Sequence, residues 1–204
     1  MFKNEKYTLF EYNGKETRLT DSEFAKVGQL RVHSSSGKKG SNMKEIEILG
    51  ANRFETFTKT RSASRAVIIC NGEVLLSHET KSGLWSVPGG GMEENETPEE
   101  CCKREVEEET GYIVLPVQEF PVLYEYYEEY CYISHYFVCE AIGNGQMNLT
   151  EAELKCGLEP QWIPLREAVE MFSHHQDYAD VSEEKRGSYL REYTALLEYM
   201  KAKQ

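Results

Sequence analysis

The chain has 204 residues, a formal net charge of −12 and 40% hydrophobic residues. That length suits one domain with additions or two small ones, and the apolar share is enough for a packed core. No apolar run reaches the roughly 18 residues that a membrane-spanning helix needs, so no membrane partner is expected.

Charge is unevenly spread: residues 1–60 carry +3 and residues 61–204 carry −15. Nucleic-acid affinity rests on neutralising phosphates, so an acidic main region predicts no nucleic-acid partner. A small phosphorylated substrate stays compatible if a metal ion mediates. The first residues, MFKNEKYTLFEYNGKE, are polar and lack an apolar signal core, which predicts a cytoplasmic protein. Six cysteines (Cys70, Cys101, Cys102, Cys131, Cys139 and Cys156) show no zinc spacing. They read as reduced thiols, mostly small buried hydrophobes.

In chain order, Tyr7–Tyr12 reads as a short strand, Asn13-Gly14 as a turn and Asp21–Val27 as a short helix. His33–Asn42 reads as a polar loop. Its Gly-Lys-Lys-Gly-Ser lacks the spacing of a phosphate-binding loop. Lys44–Leu49 alternates like a strand, and the main domain is expected to begin between residues 43 and 61. Residues 1–60 form an N-terminal extension that could act as a dimerisation arm, a lid or a small separate unit.

Arg65–Cys70 and Glu73–Ser77, joined by Asn71-Gly72, form the clearest hairpin. His78–Trp85 leads into Ser86-Val87-Pro88-Gly89-Gly90-Gly91. Next comes a helix start: Thr97 as N-cap, Pro98 at the first helical position and Glu100 three residues after the cap. Gly111 stops that helix. Glu105, Glu108 and Glu109 fall at i, i+3 and i+4 and share one arc, with Cys102 and Val106 on the adjoining buried stripe. Residues 93–109 hold nine acids against Lys103 and Arg104. Like charges at this spacing destabilise a helix by a few tenths of a kcal/mol (roughly) per pair, and a cation relieves them. Carboxylates without matching His or Cys suit a hard ion, Mg²⁺ or Mn²⁺.

Beyond the helix, Ile113–Val117, Val122–Tyr127 and Cys131–Ala141 read as strands, with Glu128-Glu129 at a turn and another turn at Gly143–Gly145. The tyrosines here, Tyr130 among them, are packing residues of a sheet or stacking platforms for a base. Asn148–Leu158 is a polar loop or short helix, Glu159–Ile163 a late strand and Leu165–Phe172 a helix. His174-His175 adjoin its negative end. Ser182–Met200 is a last helix, with Tyr189, Tyr193, Leu196, Leu197 and Met200 as its apolar stripe.

Gly90, Glu96, Arg104-Glu105-Val106, Glu108-Glu109 and Gly111 together resemble the Nudix box, G-x5-E-x7-R-E-U-x-E-E-x-G-U with U aliphatic. All the fixed positions match. Tyr112 departs from the usual aliphatic residue at a packing position. The resemblance covers Gly90–Tyr112, and the Nudix hydrolase domain is expected over residues 61–204. It implies an α/β fold, an α/β/α sandwich around a mixed β-sheet, with the N-terminal extension added. It implies Mg²⁺- or Mn²⁺-dependent hydrolysis of a pyrophosphate bond. The substrate would be a nucleotide sugar, nucleoside triphosphate or dinucleoside polyphosphate.

By resemblance, Glu105, Glu108 and Glu109 hold metal, joined by the carbonyl of Gly89 or Gly90, since glycines let the backbone approach an ion. Glu105 or an outer-loop glutamate (Glu153, Glu128 or Glu129) takes the proton from water. Arg104 fixes carboxylate orientation, and Glu96 supports the loop or the outer metal shell. Arg65, His78 and Tyr130 are candidates for substrate contact. Two alternatives stand beside this reading. One is a Nudix-fold sensor that binds without turnover. The other is an isoprenyl diphosphate isomerase-like enzyme using Cys70 or Cys139.

Overall fold

The computed structural model describes the backbone of residues 7–12, 15–20, 30–36 and 42–203, with side chains from residue 44 onward. The Asn13-Gly14 turn and the Asp21–Val27 helix lie outside the described residues. The strands are β1 (Tyr7–Tyr12), β2 (Lys15–Thr20), β3 (Leu30–Ser36), β4 (Asn42–Leu49), β5 (Lys59–Cys70), β6 (Glu73–Glu79) and β7 (Leu84–Ser86). They continue with β8 (Gly89–Gly91), β9 (Tyr112–Tyr127), β10 (Tyr130–Asn144) and β11 (Leu158–Pro164). The helices are α1 (Pro98–Thr110), α2 (Glu151–Cys156), α3 (Leu165–Ser173) and α4 (Glu183–Ala202), with a 3-10 turn at His174–Tyr178.

β1 and β2 pair with each other. The main sheet runs β11-β6-β5-β10-β9-β4-β3, with β7 beside β6 and β8 beside β5. It is mixed: β5 with β10 and β4 with β9 are parallel, and the other pairs are antiparallel. Two cores lie on its opposite faces. Ala66, Ile68, Leu75, Cys102, Val106 and Phe137 pack under α1. Val67, Leu76, Leu123, Tyr136, Phe172 and Leu196 pack under α3 and α4. Alternation along β5 explains the division, since successive side chains point to opposite faces. The expected α/β/α sandwich is therefore present.

The β5–β6 hairpin turns on Asn71 (φ 51) and Gly72 (φ 83), the two positive values that suit the sheet twist. Three expectations change. His33–Ser36 belongs to β3, and β4 begins at Asn42, because backbone pairing across the Ser34–Lys44 register outweighs the polar side chains. Ile113–Val117 and Val122–Tyr127 are one strand. The β9–β10 register skips Pro121 and Val117, so Pro121, which has no N–H, sits at a bulge instead of ending the strand. The strand β10 also runs through Gly143 to Asn144, where a turn was expected, because it pairs with the start of β9.

Among the described residues, no helix is long and apolar enough to cross a membrane. All six cysteines are free; four are buried, Cys156 is half-buried and Cys70 is exposed.

Candidate active site

The helix α1 starts where its capping signals predict. Thr97 Oγ1 accepts from the Glu100 N–H, and Glu100 Oε2 accepts from the Thr97 N–H at 2.9 Å. Gly111 ends it at φ 71. This fixed helix carries Arg104, Glu105, Glu108 and Glu109 past the end of β8. The sheet holds β8 in place through Gly91 opposite Ala63 and Gly89 opposite Arg65.

Arg104 is the hub. Its Nε and Nη2 donate to both carboxylate oxygens of Glu96 at 2.8 and 2.9 Å. Its Nη1 donates to Glu105 Oε1 at 2.8 Å and to Glu108 Oε2 at 3.0 Å, and its Nη2 reaches the Gly91 carbonyl at 3.1 Å. A planar guanidinium can make these bonds at once because its donors form a fixed fork. Arg104 hydrogen bonding, outweighing burial, holds the Glu96 carboxyl down at about 2. Glu93 N–H closes the loop onto Glu96 Oε2 at 2.9 Å.

Glu105 lies against the glycine strand: a Cβ placed on Gly90 would meet its Oε2 at 2.4 Å. Burial raises its pKa, opposed by Arg104 and reinforced by Glu108 and Glu153. Glu109 is only 8% exposed. Its Oε2 accepts from Ser77 Oγ at 2.7 Å and from the Gly89 N–H at 3.2 Å. Burial nevertheless pushes it up to about 7.

Among the described residues, no three His, Cys, Asp or Glu side chains stand in an arrangement able to hold a metal ion. The reason is visible in the bonds above. Arg104 occupies Glu105 and Glu108, while Glu109 is drawn toward Ser77 and Gly89. The donor chemistry still fits a hard divalent cation. Three carboxylates and the glycine-strand carbonyls offer only oxygen, and burial raises the pKa of both Glu105 and Glu109.

Other sequence candidates divide. Arg65 lies on β5 beside the glycine strand, with Nη1 3.4 Å from the Gly89 carbonyl oxygen. Glu153 is near enough to raise Glu105, yet its Oε2 caps α2 by accepting the Thr150 N–H at 2.7 Å. His78 follows Ser77, so it faces away from Glu109; it stacks on Trp85 at 3.8 Å and contacts Gln161. Tyr130 stacks on Tyr132 at 5.3 Å under Lys59. Glu129 pairs with Lys59 at 2.6 Å, and Glu128 forms the β9–β10 turn at φ 49. Cys70 is exposed at the hairpin, and Cys139 is buried with its Sγ 3.7 Å from Cys102 Sγ on the α1 face.

Sequence reasoning missed Ser77, Arg61 and Arg191. Ser77 looks like an ordinary strand residue. Arg61 reaches the glycine strand, with Nη2 3.1 Å from where a Gly91 Cβ would stand. Arg191 lies on α4, 79 positions beyond the end of the motif, and is bound by Glu125 at 3.2 Å and Glu192 at 2.8 Å. The even spacing of Arg61 and Arg65 on one strand was the available signal for the first.

A family model described as NUDIX domain matches residues 60–184. An RNA pyrophosphohydrolase from Shewanella sediminis (strain HAW-EB3) is 43% identical over 51 residues, 24% of this chain and 30% of that protein. A MutT-like protein from Streptomyces ambofaciens is 39% identical over 64 residues, 31% of this chain and 41% of that protein. The chain spans under half the length of these curated relatives. Among solved structures, a MutT protein from Methanosarcina mazei Go1 aligns with a TM-score of 0.49 at 19% identity, covering 74% of this chain and 97% of that one.

Proposed function

We propose, since this chain belongs to the NUDIX family, that it hydrolyses the pyrophosphate bond of a nucleoside diphosphate linked to another moiety. The observation that carries this reading is the Arg104 hub, which gathers Glu96, Glu105, Glu108 and the Gly91 carbonyl at one edge of the sheet.

Glu105, Glu108, Glu109 and a carbonyl of Gly89 or Gly90 would hold a divalent cation, Mg²⁺ or Mn²⁺, which when bound would neutralise phosphate charge and make water easier to deprotonate. The chain's own residues do the rest. Glu96 anchors Arg104, and Arg104 fixes the directions of Glu105 and Glu108. Ser77 and the Gly89 N–H orient Glu109. Desolvation makes Glu105 a better proton acceptor, which suits a general base; Glu153 is the other candidate. Arg65, on the face of β5 opposite α1, would reach the phosphates past the glycine strand, and Tyr130 would face the rest of the substrate. The partner is a small nucleotide-type molecule in the cytoplasm, not nucleic acid or membrane.

One observation favours a binding-only sensor: Glu105 and Glu108 are already engaged by Arg104. A panel of ADP-ribose, UDP-glucose, nucleoside triphosphates and dinucleoside polyphosphates, run with and without Mg²⁺ or Mn²⁺, separates the two. Metal-dependent product release supports hydrolysis, and binding with zero turnover supports the sensor. In the hydrolase, Glu108→Gln or Glu109→Gln lowers kcat by at least ~10²-fold, about 2.7 kcal/mol of barrier, with the fold intact. Full Mg²⁺-dependent turnover in either variant would take that residue out of the reaction.

A further inference from the structure

We propose that the protein carries a second binding site, an aromatic cage at the β9–β10 corner that takes a small organic cation by its quaternary ammonium head. The cage lies on the sheet face away from α4 and uses no residue of α1 or of the glycine strand. It therefore goes beyond the hydrolase reading and does not rest on it.

The connection from β4 to β5 builds it. The Gly50 N–H donates to the Tyr126 carbonyl, the Phe54 N–H to the Glu128 carbonyl and the Thr58 N–H to the Glu129 carbonyl, each at 2.9 Å. A Cβ at Gly50 would fall 2.5 Å from the Tyr126 carbonyl oxygen, so the chain lies flat against β9 there. These bonds fix the connection, yet Phe54 stays 60% exposed and Phe57 50% exposed. Two phenyl rings held side by side in solvent by an anchored loop mark a contact surface. Ile46, Ile48 and Leu123 pack toward α4, so by alternation Glu47 and Tyr126 point to the other face. There Phe54, Phe57 and Tyr126 surround a hollow of about 220 Å³, rimmed by Glu47, Glu55 and Glu128.

Shape and charge select the occupant. The Phe57 and Tyr126 rings stand 5.7 Å apart at 49°, a corner and not a slot. A flat base cannot stack on both rings at once, whereas a rounded group touches both. The faces of such rings are electron-rich and attract a cation. Among the described lining residues three carboxylates face one base, Arg53, whose Nη1 is bound to the Gly50 carbonyl at 2.9 Å. Glu47 accepts from the Tyr126 hydroxyl at 3.3 Å, which steadies that ring. A phosphate would be repelled here, and an uncharged apolar group would strip water from the carboxylates without replacing it. The neighbouring ring already holds an ammonium: Lys59 Nζ stands 4.8 Å over Tyr130 while paired with Glu129 at 2.6 Å. A trimethylammonium group repeats that arrangement on Phe57 and Tyr126, with Glu55 and Glu128 as counter-charges. The hollow is smaller than the roughly 300–1,000 Å³ of drug-sized sites, so it takes a head group and not a whole nucleotide.

The probe is choline, titrated onto the full chain and followed by saturation-transfer NMR on its methyl protons. Beside it runs the neutral alcohol in which carbon replaces the choline nitrogen, equal in shape and without charge. Choline should bind about tenfold or more tighter than that alcohol, the equivalent of ~1.4 kcal/mol. Phe57→Ala and Tyr126→Ala should each weaken choline by about tenfold, whereas Tyr126→Phe, which keeps the ring face, should stay within about twofold of the wild type. Glu55→Gln should weaken it by about threefold, a loss that shrinks as salt rises. Phe57 is half exposed, so Phe57→Ala keeps its Tm and reports on the cage even where Tyr126→Ala loosens the corner. Equal affinity for the neutral alcohol, indifference to Phe57→Ala, or no saturation by about 50 mM choline overturns the cage. Turnover of the diphosphate panel with Mg²⁺ is read separately. Its absence beside intact choline binding removes the hydrolase and keeps the cage, and turnover with no choline binding does the reverse.

Discussion

The contact between Gly90 and Glu105 turns a single methyl group into a probe of the site. A Cβ at Gly90 would stand 2.4 Å from Glu105 Oε2, 2.6 Å from Cδ and 2.7 Å from Oε1, where ordinary contact begins near 3.4 Å. In Gly90→Ala the carboxylate must therefore withdraw by about 1 Å. It ends a flexible side chain, so the backbone can stay where it is. The cost to the fold should be below about 1 kcal/mol, a Tm change of no more than about 4 °C. The cost to chemistry should be far larger. A displacement of about 1 Å at a reacting geometry is worth around 10²-fold, or ~2.7 kcal/mol. Steady-state kinetics with Mg²⁺ on the best substrate, beside thermal melts, measures both. A cycle with Glu105→Asp sharpens the test. The shorter side chain already stands back from Gly90, so the double variant should be about as active as Glu105→Asp alone. Full activity in Gly90→Ala, or additive losses in the double variant, refutes the claim that this glycine exists to seat Glu105.

Three further outcomes concern stability. His175 is 3% exposed, its Nδ1 has no hydrogen-bond partner among the described residues, and burial, helped by Arg186, lowers its pKa to about 4 from 6.5. The unfolded chain thus binds the extra proton first, and the fold loses stability as pH falls from 6.5 toward 4, by up to about 3 kcal/mol. Denaturant melts across that window should show the slope in the wild type and a flatter curve in His175→Phe; parallel curves would remove His175 from acid sensitivity. Gly187 lets α4 approach β9, for its Cβ would fall 1.7 Å from the Tyr127 hydroxyl oxygen. Gly187→Ala should cost about 1–3 kcal/mol by overpacking, with part recovered in Gly187→Ala/Tyr127→Leu; a neutral melt would contradict this. Glu192 is fully buried and accepts from Arg191 and from the Tyr136 hydroxyl at 2.9 Å. Removing it in Glu192→Ala should cost roughly 3–5 kcal/mol, since Arg191 is left short of charge; a loss under about 1 kcal/mol would show the pair to be dispensable.

The residues by themselves determined whatever depends on short-range chemistry. Thr97-Pro98 and Gly111 set the ends of α1, Asn71-Gly72 set the hairpin, and the spacing of Arg104, Glu105, Glu108 and Glu109 put these four charged side chains on neighbouring turns of one helix. Helical and hairpin geometry relates neighbours a few positions apart, so sequence order is enough there. The stripe on α4 was legible only in part. Tyr189, Leu196 and Leu197 are buried as expected, but so are Arg186, Arg191, Glu192 and Thr194. A helix pressed on several sides buries charge wherever a partner from another element neutralises it, and Glu125 comes from β9, 66 residues away.

Tertiary structure alone decided which distant groups meet. It brought Ser77 to Glu109 across 32 residues, and it set Arg65 opposite Gly89 of the glycine strand. It also placed Glu153 as a helix cap beside Glu105, and turned His78 onto Trp85 away from the carboxylates. Each of these depends on strand register, in which a slip of one residue moves every side chain to the opposite face. That register is settled by the packing of the two cores against the sheet, a property of the whole chain that no local pattern records.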